Sequence, residues 1–388
     1  MTIKESRLNI YPLIILVLVA ALVAVFALLV MERSGSSQSS QQTGPLGEQT
    51  THRWRMVTTW PKDFPGLGTT AQHFADIVEE MSGGRLTIRV YGANELVPAM
   101  GVFDAVSDGS AEVGHGGSYY WRGKAPAAQF FTTIPFGMNA QEMNAWLHHG
   151  GGLELWREVY EPFNIIPFPG GNTGIQMAGW FNQEIESIED LKGLKMRIPG
   201  LAGDVFNQAG GSSVNIPGGE LYTSLQTGVI DAAEWVGPSN DQAFGFDQIA
   251  QYYYYPGWQE PGSTLELIVN KSAYQSLPDD LQAIVTQAAR AANQHMLDQY
   301  TARNPAALKS MVGKEGTELR RLPDDVLQRL YNISRELFEQ QAAQDPMFKK
   351  VWDSYRGFLR DVKDYHKITE HTYYDIREQV QAGAEQAE

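Results

Sequence analysis

The residues that could do chemistry in this chain stand at the ends of apolar segments. The stretch "DAAEWVGPSN", 231–240, places two carboxylates, a tryptophan and a Gly-Pro turn together, with no histidine or cysteine beside them. Glu234 closes the apolar run "VIDAAEWVG", and an acid there must be paired or hold a cation, because an unpaired buried charge is expensive. With Gln176 in "NTGIQMAGW" and the main-chain carbonyl of Trp235 it would form an all-oxygen site. Such ligands suit the hard ions sodium or calcium rather than zinc. Trp235 itself reads two ways, as core filler or as an apolar wall with an indole donor aimed at a ligand. Glu260 follows the aromatic run "YYYYPGWQEPG", which is either sheet core or a pocket rim.

Arg197 ends the strand-like "LKMRIPG". Taken alone it fits a surface ion pair, yet a site for an organic acid needs one fixed positive fork, and guanidinium binds carboxylate through two parallel hydrogen bonds. Asn172 and Gln176 could add neutral amide contacts, although buried amides commonly satisfy the backbone. Motifs for other chemistries fail. "GGNTG" at Gly170 has no Gly-Lys-Ser/Thr after it, so it is not a phosphate-binding P-loop, and there is no G-x-S-x-G elbow or dinucleotide fingerprint. His148 and His149 are adjacent, whereas zinc pairs on a helix stand one turn apart. His115 and Ser118 in "GHGGSYYW" lack a third orienting group for acyl transfer. An anchored hydrolase or lyase using His115, Tyr120 and Glu234 is the competing enzymatic reading, and a ligand-sensing ectodomain the other.

The elements that position these residues read as α/β. From Trp54, "WRMVTTW" is strand-like, "TTAQHFADIVEEMSGG" is an amphipathic helix ending at glycine, and "RLTIRVYG" is a second strand. Repeated units of this kind predict mostly parallel sheets with helices on both faces. "PGGELYTSLQTGVIDAAEWVGP" repeats the helix, turn and strand order of Val97–Gly114, so two lobes of similar design are expected. The boundaries fall at 53–160 for the first lobe, 161–272 for the second with crossing hinge strands, and 273–388 for C-terminal helices packing on both. "LPDDL" and "LPDDV" mark helix starts whose early acids suit the helix dipole.

Ahead of the globule, residues 1–31 contain nineteen apolar residues without a charge, Leu13 to Met31. That approaches the ~20 needed to span a bilayer and exceeds an ordinary signal-peptide core. Lys4 and Arg7 precede it, so the start lies in the cytoplasm and the rest is exported. An uncleaved anchor is expected, a cleaved signal peptide being the alternative. Residues 32–52 read as a flexible linker. With 45 acidic and 30 basic residues the formal charge is −15, which disfavours nucleic acid as a partner. Absence of cysteine excludes disulfides and thiolate metal sites. Near the end, "VWDSYRGFLRDVKDYHKITEHTYYDIREQV" carries more aromatics than one buried stripe uses, a composition that suits a homodimer.

The motifs "TTWPKDFPGLGT", "GHGGSYYWRGK", "FFTTIPFGM", "GNTGIQMAGWFN", "LKGLKMRIPG", "DAAEWVGP" and "YYYYPGW", in this order over nearly the whole globule, resemble the DctP-type solute-binding proteins of tripartite ATP-independent periplasmic (TRAP) transporters. They are most similar to the branch for 2-oxo or 2-hydroxy monocarboxylates. The resemblance implies a periplasmic-binding-protein fold of two α/β lobes joined by crossing strands, spanned by a long helix and closing by a hinge. It implies no catalysis, and delivery of a small carboxylate to the small and large TRAP membrane subunits. Residue by residue, it implies that Arg197 clasps the carboxylate with Asn172 and Tyr119 or Tyr120, and that Gln176, Glu234 and Trp235, with Glu260 close by, hold a sodium or calcium ion. Two departures stand out. Gln183 occupies a place where relatives often have a basic residue, and a retained anchor would confine the receptor near its membrane at high effective concentration.

Overall fold

The computed structural model describes residues 50–313 and 316–385. The expected membrane anchor lies outside the described residues, and among those described no helix is long and apolar enough to cross a membrane.

The chain begins with β1 (His52–Thr58), α1 (Leu67–Ser82) and β2 (Leu86–Tyr91), followed by α2 (Val102–Ser107) and β3 (Val113–Gly116). Helix α1 buries Leu67, Thr70, Ala71, Phe74, Ala75 and Val78, the three-to-four spacing of one apolar stripe. It stops at Gly83, whose φ of 61° is the left-handed conformation that a helix end favours. After α3 (Ala140–His149) and α4 (Gly152–Tyr160) comes β4 (Ile165–Asn172). The start of α3 is a reciprocal cap: Asn139 Oδ1 accepts from Glu142 N at 3.0 Å, and Glu142 Oε2 accepts from Asn139 N at 2.9 Å.

The chain then enters the second lobe through β5 (Gly179–Phe181) and β6 (Lys195–Arg197). There follow α5 (Gly200–Gln208), β7 (Ser212–Val214), α6 (Leu221–Gln226), β8 (Ala232–Ala233), α7 (Pro238–Phe244) and β9 (Tyr252–Tyr255). It returns as β10 (Thr264–Asn270) and continues into α8 (Lys271–Gln275) and α9 (Asp279–Val312). The last elements are β11 (Glu318–Arg321), α10 (Asp324–Gln344), α11 (Pro346–Ile368) and α12 (Glu370–Glu385). Asp279 and Asp324 open α9 and α10 directly after prolines, at the positions that "LPDDL" and "LPDDV" predict.

Two sheets result, with orders β2-β1-β3-β10-β4 and β11-β9-β5-β8-β6-β7. Each is parallel except for one strand: β10 runs antiparallel to β3 and β4, and β5 antiparallel to β8 and β9. These reversed strands are the ones by which the chain arrives from the other lobe. A chain crossing from one sheet enters the next from its opposite end. The crossings also decide which sheet a segment serves. Strand β4 and strand β10, within the span 161–272, are hydrogen-bonded in the first sheet, so the second lobe proper lies between them. Within the expected helical region, β11 pairs in parallel with β9 at the edge of the second sheet.

Helix α9 has 34 residues, roughly 50 Å at 1.5 Å per residue. It packs on α1 and β4 of the first lobe and on α7 of the second. Helix α10 lies on α5 of the second lobe, while α11 lies on α3 and α4 of the first. Aromatic rings pack at the latter interface: Trp146 of α3 meets Tyr355 of α11 edge-on at 5.1 Å, and Phe131 stacks between Trp146 and Trp156 at 5.7 and 5.1 Å.

Candidate functional site

The expected site residues come from five segments that converge where the lobes meet. Tyr119 and Tyr120 stand on the 3-10 turn Ser118–Trp121 just past β3, Arg197 ends β6, and Glu234 with Trp235 follows β8. Gln176 lies on the crossing from β4 to β5, and Glu260 on the crossing from β9 to β10. Convergence at strand ends is what open α/β sheets offer a ligand. The two crossings are stitched together by Gln176 N donating to Glu260 O at 3.1 Å and Thr173 N to Ser263 O at 3.0 Å. They approach so closely at Gly257 that a Cβ there would sit 2.1 Å from Gln176 O.

Arg197 is 1% exposed and almost fully engaged. Its Nη1 donates to Glu234 Oε2 and to the Glu234 carbonyl, both at 2.9 Å, and Nε reaches Ile216 O at 3.4 Å. Nη2 donates across the lobes to Tyr120 Oη at 3.2 Å. The guanidinium lies 5.1 Å from the centre of the Trp235 ring, a cation–π contact. Burial pulls its pKa down, but Glu234, the two tyrosines and Glu260 outweigh this and hold it above the usual arginine value.

The acids are unfinished. Burial, then the neighbouring Glu260 charge, pushes Glu234 well above the usual carboxylate range, against the pull of Arg197. Burial pushes Glu260 up to about 7, opposed by Ser263, Arg197, Gln176 and Tyr119. Glu260 Oε2 accepts from Gln176 Nε2 at 2.8 Å and from Ser263 Oγ at 2.5 Å. Gln176 Nε2 also reaches Thr173 Oγ1 at 3.2 Å. Yet Glu234 Oε1, Glu260 Oε1 and Gln176 Oε1 are buried without a hydrogen-bond partner, as is the Trp235 indole nitrogen. A buried oxygen left this way costs about 1–3 kcal/mol, more when charged, which makes this cluster the candidate binding site. Two carboxyl oxygens, which a bound cation would hold deprotonated, and an amide oxygen fit a hard cation. No cluster of three or more His, Cys, Asp or Glu that could hold a metal occurs among the described residues, so the amide is needed.

Asn172 is placed differently from the other polar residues. Its Nδ2 donates to Thr264 Oγ1 at 3.1 Å and Gly262 O at 3.4 Å, and its Oδ1 accepts from Gly174 N at 2.8 Å. These contacts brace both crossings. Asp231 accepts from Lys195 N at 2.8 Å and ties β6 to β8. Gln183 Nε2 bonds Asp190 O on the exposed surface. The histidine and serine of "GHGGSYYW" do not form a pair: His115 Nε2 lies 3.1 Å from Gly170 O, while Ser118 Oγ donates to Ala128 O at 2.7 Å. Burial lowers His115 to about 4.

Sequence reasoning missed Ser263, which holds Glu260, and Glu266, which holds the tyrosine turn. Glu266 Oε1 accepts from Trp121 Nε1, and its Oε2 from Tyr160 Oη at 2.8 Å. An acid inside the apolar strand "TLELIVN" is the same signal that singles out Glu234. Asp241 was missed too; it accepts from Tyr253 Oη at 2.6 Å and Trp180 Nε1 at 3.1 Å.

Two α/β lobes with a buried polar cluster at their crossing define a two-lobed fold of the periplasmic-binding-protein type. The chain belongs to the DctP family, bacterial extracellular solute-binding protein family 7, whose profile matches residues 56–345. Members of this family are transport receptors, not enzymes. The chain is 46% identical over 321 residues, 83% of its length and 88% of the relative's, to a monocarboxylate 2-oxoacid-binding periplasmic protein of Nostoc sp.. It is also 46% identical to a TRAP periplasmic solute-binding protein of Colwellia psychrerythraea with bound calcium and pyruvate (TM-score 0.82, covering 84% of this chain and 99% of that one). A counterpart from Pseudoalteromonas atlantica with bound sodium and pyruvate matches with the same identity, coverage and score. A TRAP transporter solute-binding protein of Bordetella bronchiseptica, a dimer with calcium and picolinate in one site, is 37% identical with a TM-score of 0.84, covering 86% and 99% of the two chains.

Proposed function

We propose that this chain is a TRAP receptor that encloses a small 2-oxo or 2-hydroxy monocarboxylate together with a sodium or calcium ion and passes it to the small and large membrane subunits. The observation that carries this reading is the trio of unpartnered buried oxygens on Gln176, Glu234 and Glu260 beside the Arg197 guanidinium. These three, with the Trp235 carbonyl, would hold the cation, which supplies a positive centre for the carboxylate and the 2-oxygen together. Arg197 offers its Nη2 edge to the carboxylate in concert with the hydroxyls of Tyr119 and Tyr120. Glu234 keeps the guanidinium fixed, so no side-chain ordering is spent on binding. Trp235 directs its free indole N–H toward the ligand, and Asn172 braces the crossings rather than touching it.

Pyruvate titrated by calorimetry into chelator-treated protein tests the reading. Heat of binding should appear on adding calcium chloride or sodium chloride and be absent in a potassium buffer. Binding of pyruvate without either ion, or no binding with both, defeats it.

Two further features extend the proposal. The apolar run Leu13–Met31 supports tethering of the receptor to the inner membrane, which retention of that segment in the mass of the membrane-bound protein would verify. Tyr365, Ile368, Tyr373, Tyr374, Ile376 and Val380 at the end of α11 and on α12 are each at least half exposed, supporting a homodimer through these helices. Native mass spectrometry should then show twice the chain mass.

A further inference from the structure

We infer that Arg122 is an interlobe latch, a positioning residue that clamps the Tyr119–Tyr120 turn onto the second lobe and so sets how long a bound ligand is retained. The inference rests on the receptor reading above. Arg122 directly follows the turn Ser118–Trp121 of the first lobe. Its Nη1 donates to Asp204 Oδ1 at 2.8 Å and to Gly200 O at 3.0 Å, both on α5 of the second lobe. Two residues earlier on the same turn, Tyr120 Oη meets Arg197 Nη2 of the second lobe at 3.2 Å. The turn is therefore held to the opposite lobe at two points, one at the buried Arg197 and one nearer the surface.

The surroundings agree with a contact built for closure. Gly200 has a φ of +65°, and a Cβ on it would lie 3.2 Å from Tyr119 Cβ, so α5 begins hard against the tyrosine turn. Only glycine allows that conformation and that approach together. Arg122 and Asp204 side chains are 43% and 28% exposed, which puts the pair within reach of water, where a ligand must leave. The neighbouring Lys124 instead pairs with Asp104 at 2.8 Å inside the first lobe, so that ion pair survives any lobe movement. The Arg122 contacts join different lobes and must break when the cleft opens. A contact present in one of two conformations shifts the population toward it, and here it acts on escape rather than on encounter.

The test is stopped-flow tryptophan fluorescence of the full-length chain with pyruvate in calcium chloride. An exposed ion pair together with one charge-assisted bond predicts that Arg122→Ala raises koff by roughly 3- to 10-fold and leaves kon unchanged. Arg122→Asp combined with Asp204→Arg should recover part of the loss, which a merely structural arginine would not permit. An unchanged koff in Arg122→Ala, or a double variant no slower in release than Arg122→Asp alone, overturns the latch. Lobe separation gives a readout independent of the ligand's identity. The chain has no cysteine, so spin labels at Glu80→Cys and Gln226→Cys report the distance between lobes alone. The closed fraction should fall in Arg122→Ala, and equal fractions overturn the proposal. Failure of wild-type pyruvate binding would defeat the ligand reading, and the label distances would still decide the latch.

Discussion

Two kinds of buried acid occur a few residues apart in this protein. Glu266 sits on β10, 0% exposed, and both of its oxygens receive a donor, one from Trp121 and one from Tyr160. Glu234 and Glu260 are as deeply buried, yet each has one oxygen satisfied and one left bare. The difference separates structure from function. A carboxylate finished by neutral donors needs nothing further and serves to position the tyrosine turn, whereas one left half-finished beside another like it is stable only with something added.

The sharpest way to break this comparison is Arg197→Ala. It strips Glu234 of its ion pair, which should destabilise the free protein by about 3–5 kcal/mol and abolish pyruvate binding. Thermal melting and calorimetry measure the two effects, and Arg197→Ala with Glu234→Gln should regain stability without regaining binding. Loss of binding with undiminished stability would show that Glu234 does not depend on its arginine. Next in size, Glu260→Gln removes a charge but not the shape, and should weaken calcium-dependent binding by about 2–5 kcal/mol. An equal effect on binding from Glu266→Gln would erase the distinction between the two kinds of acid.

Glu266 makes its own prediction in pH. Burial outweighs its two hydrogen bonds and lifts it from 4.5 to about 7. A carboxyl whose folded pKa is raised binds more protons folded than unfolded, so its contribution is full below pH 4.5 and is lost as the pH climbs through 7. Glu266→Gln, which cannot ionise, should gain on the wild type by up to about 3 kcal/mol between pH 5 and 8 in denaturant melts. A constant difference would mean that the carboxyl is already charged at pH 5. The smallest effect is expected from Trp235→Phe. It keeps a ring under Arg197 but deletes the bare indole donor, which should cost about 1 kcal/mol in pyruvate affinity beyond the drop in ligand-free melting temperature that the smaller ring causes among Phe64 and Phe244.

Much of the site was legible because its logic is local. An acid at the end of an apolar strand, as at Glu234, announces that something must pair with it, and an arginine at a strand end, as at Arg197, announces a fixed fork. The same logic should have flagged Glu266 in "TLELIVN", where the acid stands between two leucines. Asn172 shows the limit of local reading. Nothing in "GNTG" says that its amide is consumed by Gly262, Thr264 and Gly174, because two of those partners lie some ninety residues along the chain.

By itself, the sequence determined the two α/β lobes, the oxygen-rich and cysteine-free chemistry, and most of the residues that meet at the centre. It did so because periodicity, caps and the cost of buried charge act within a few residues of where they are written. The tertiary structure alone decided that Arg197 pairs with Glu234, that β4 and β10 belong to the first sheet, and which oxygens remain bare. Those outcomes depend on the crossing strands bringing residues 176, 234 and 260 to one point. Contact across such distances is set by how sheets and helices pack, which no short stretch of sequence encodes.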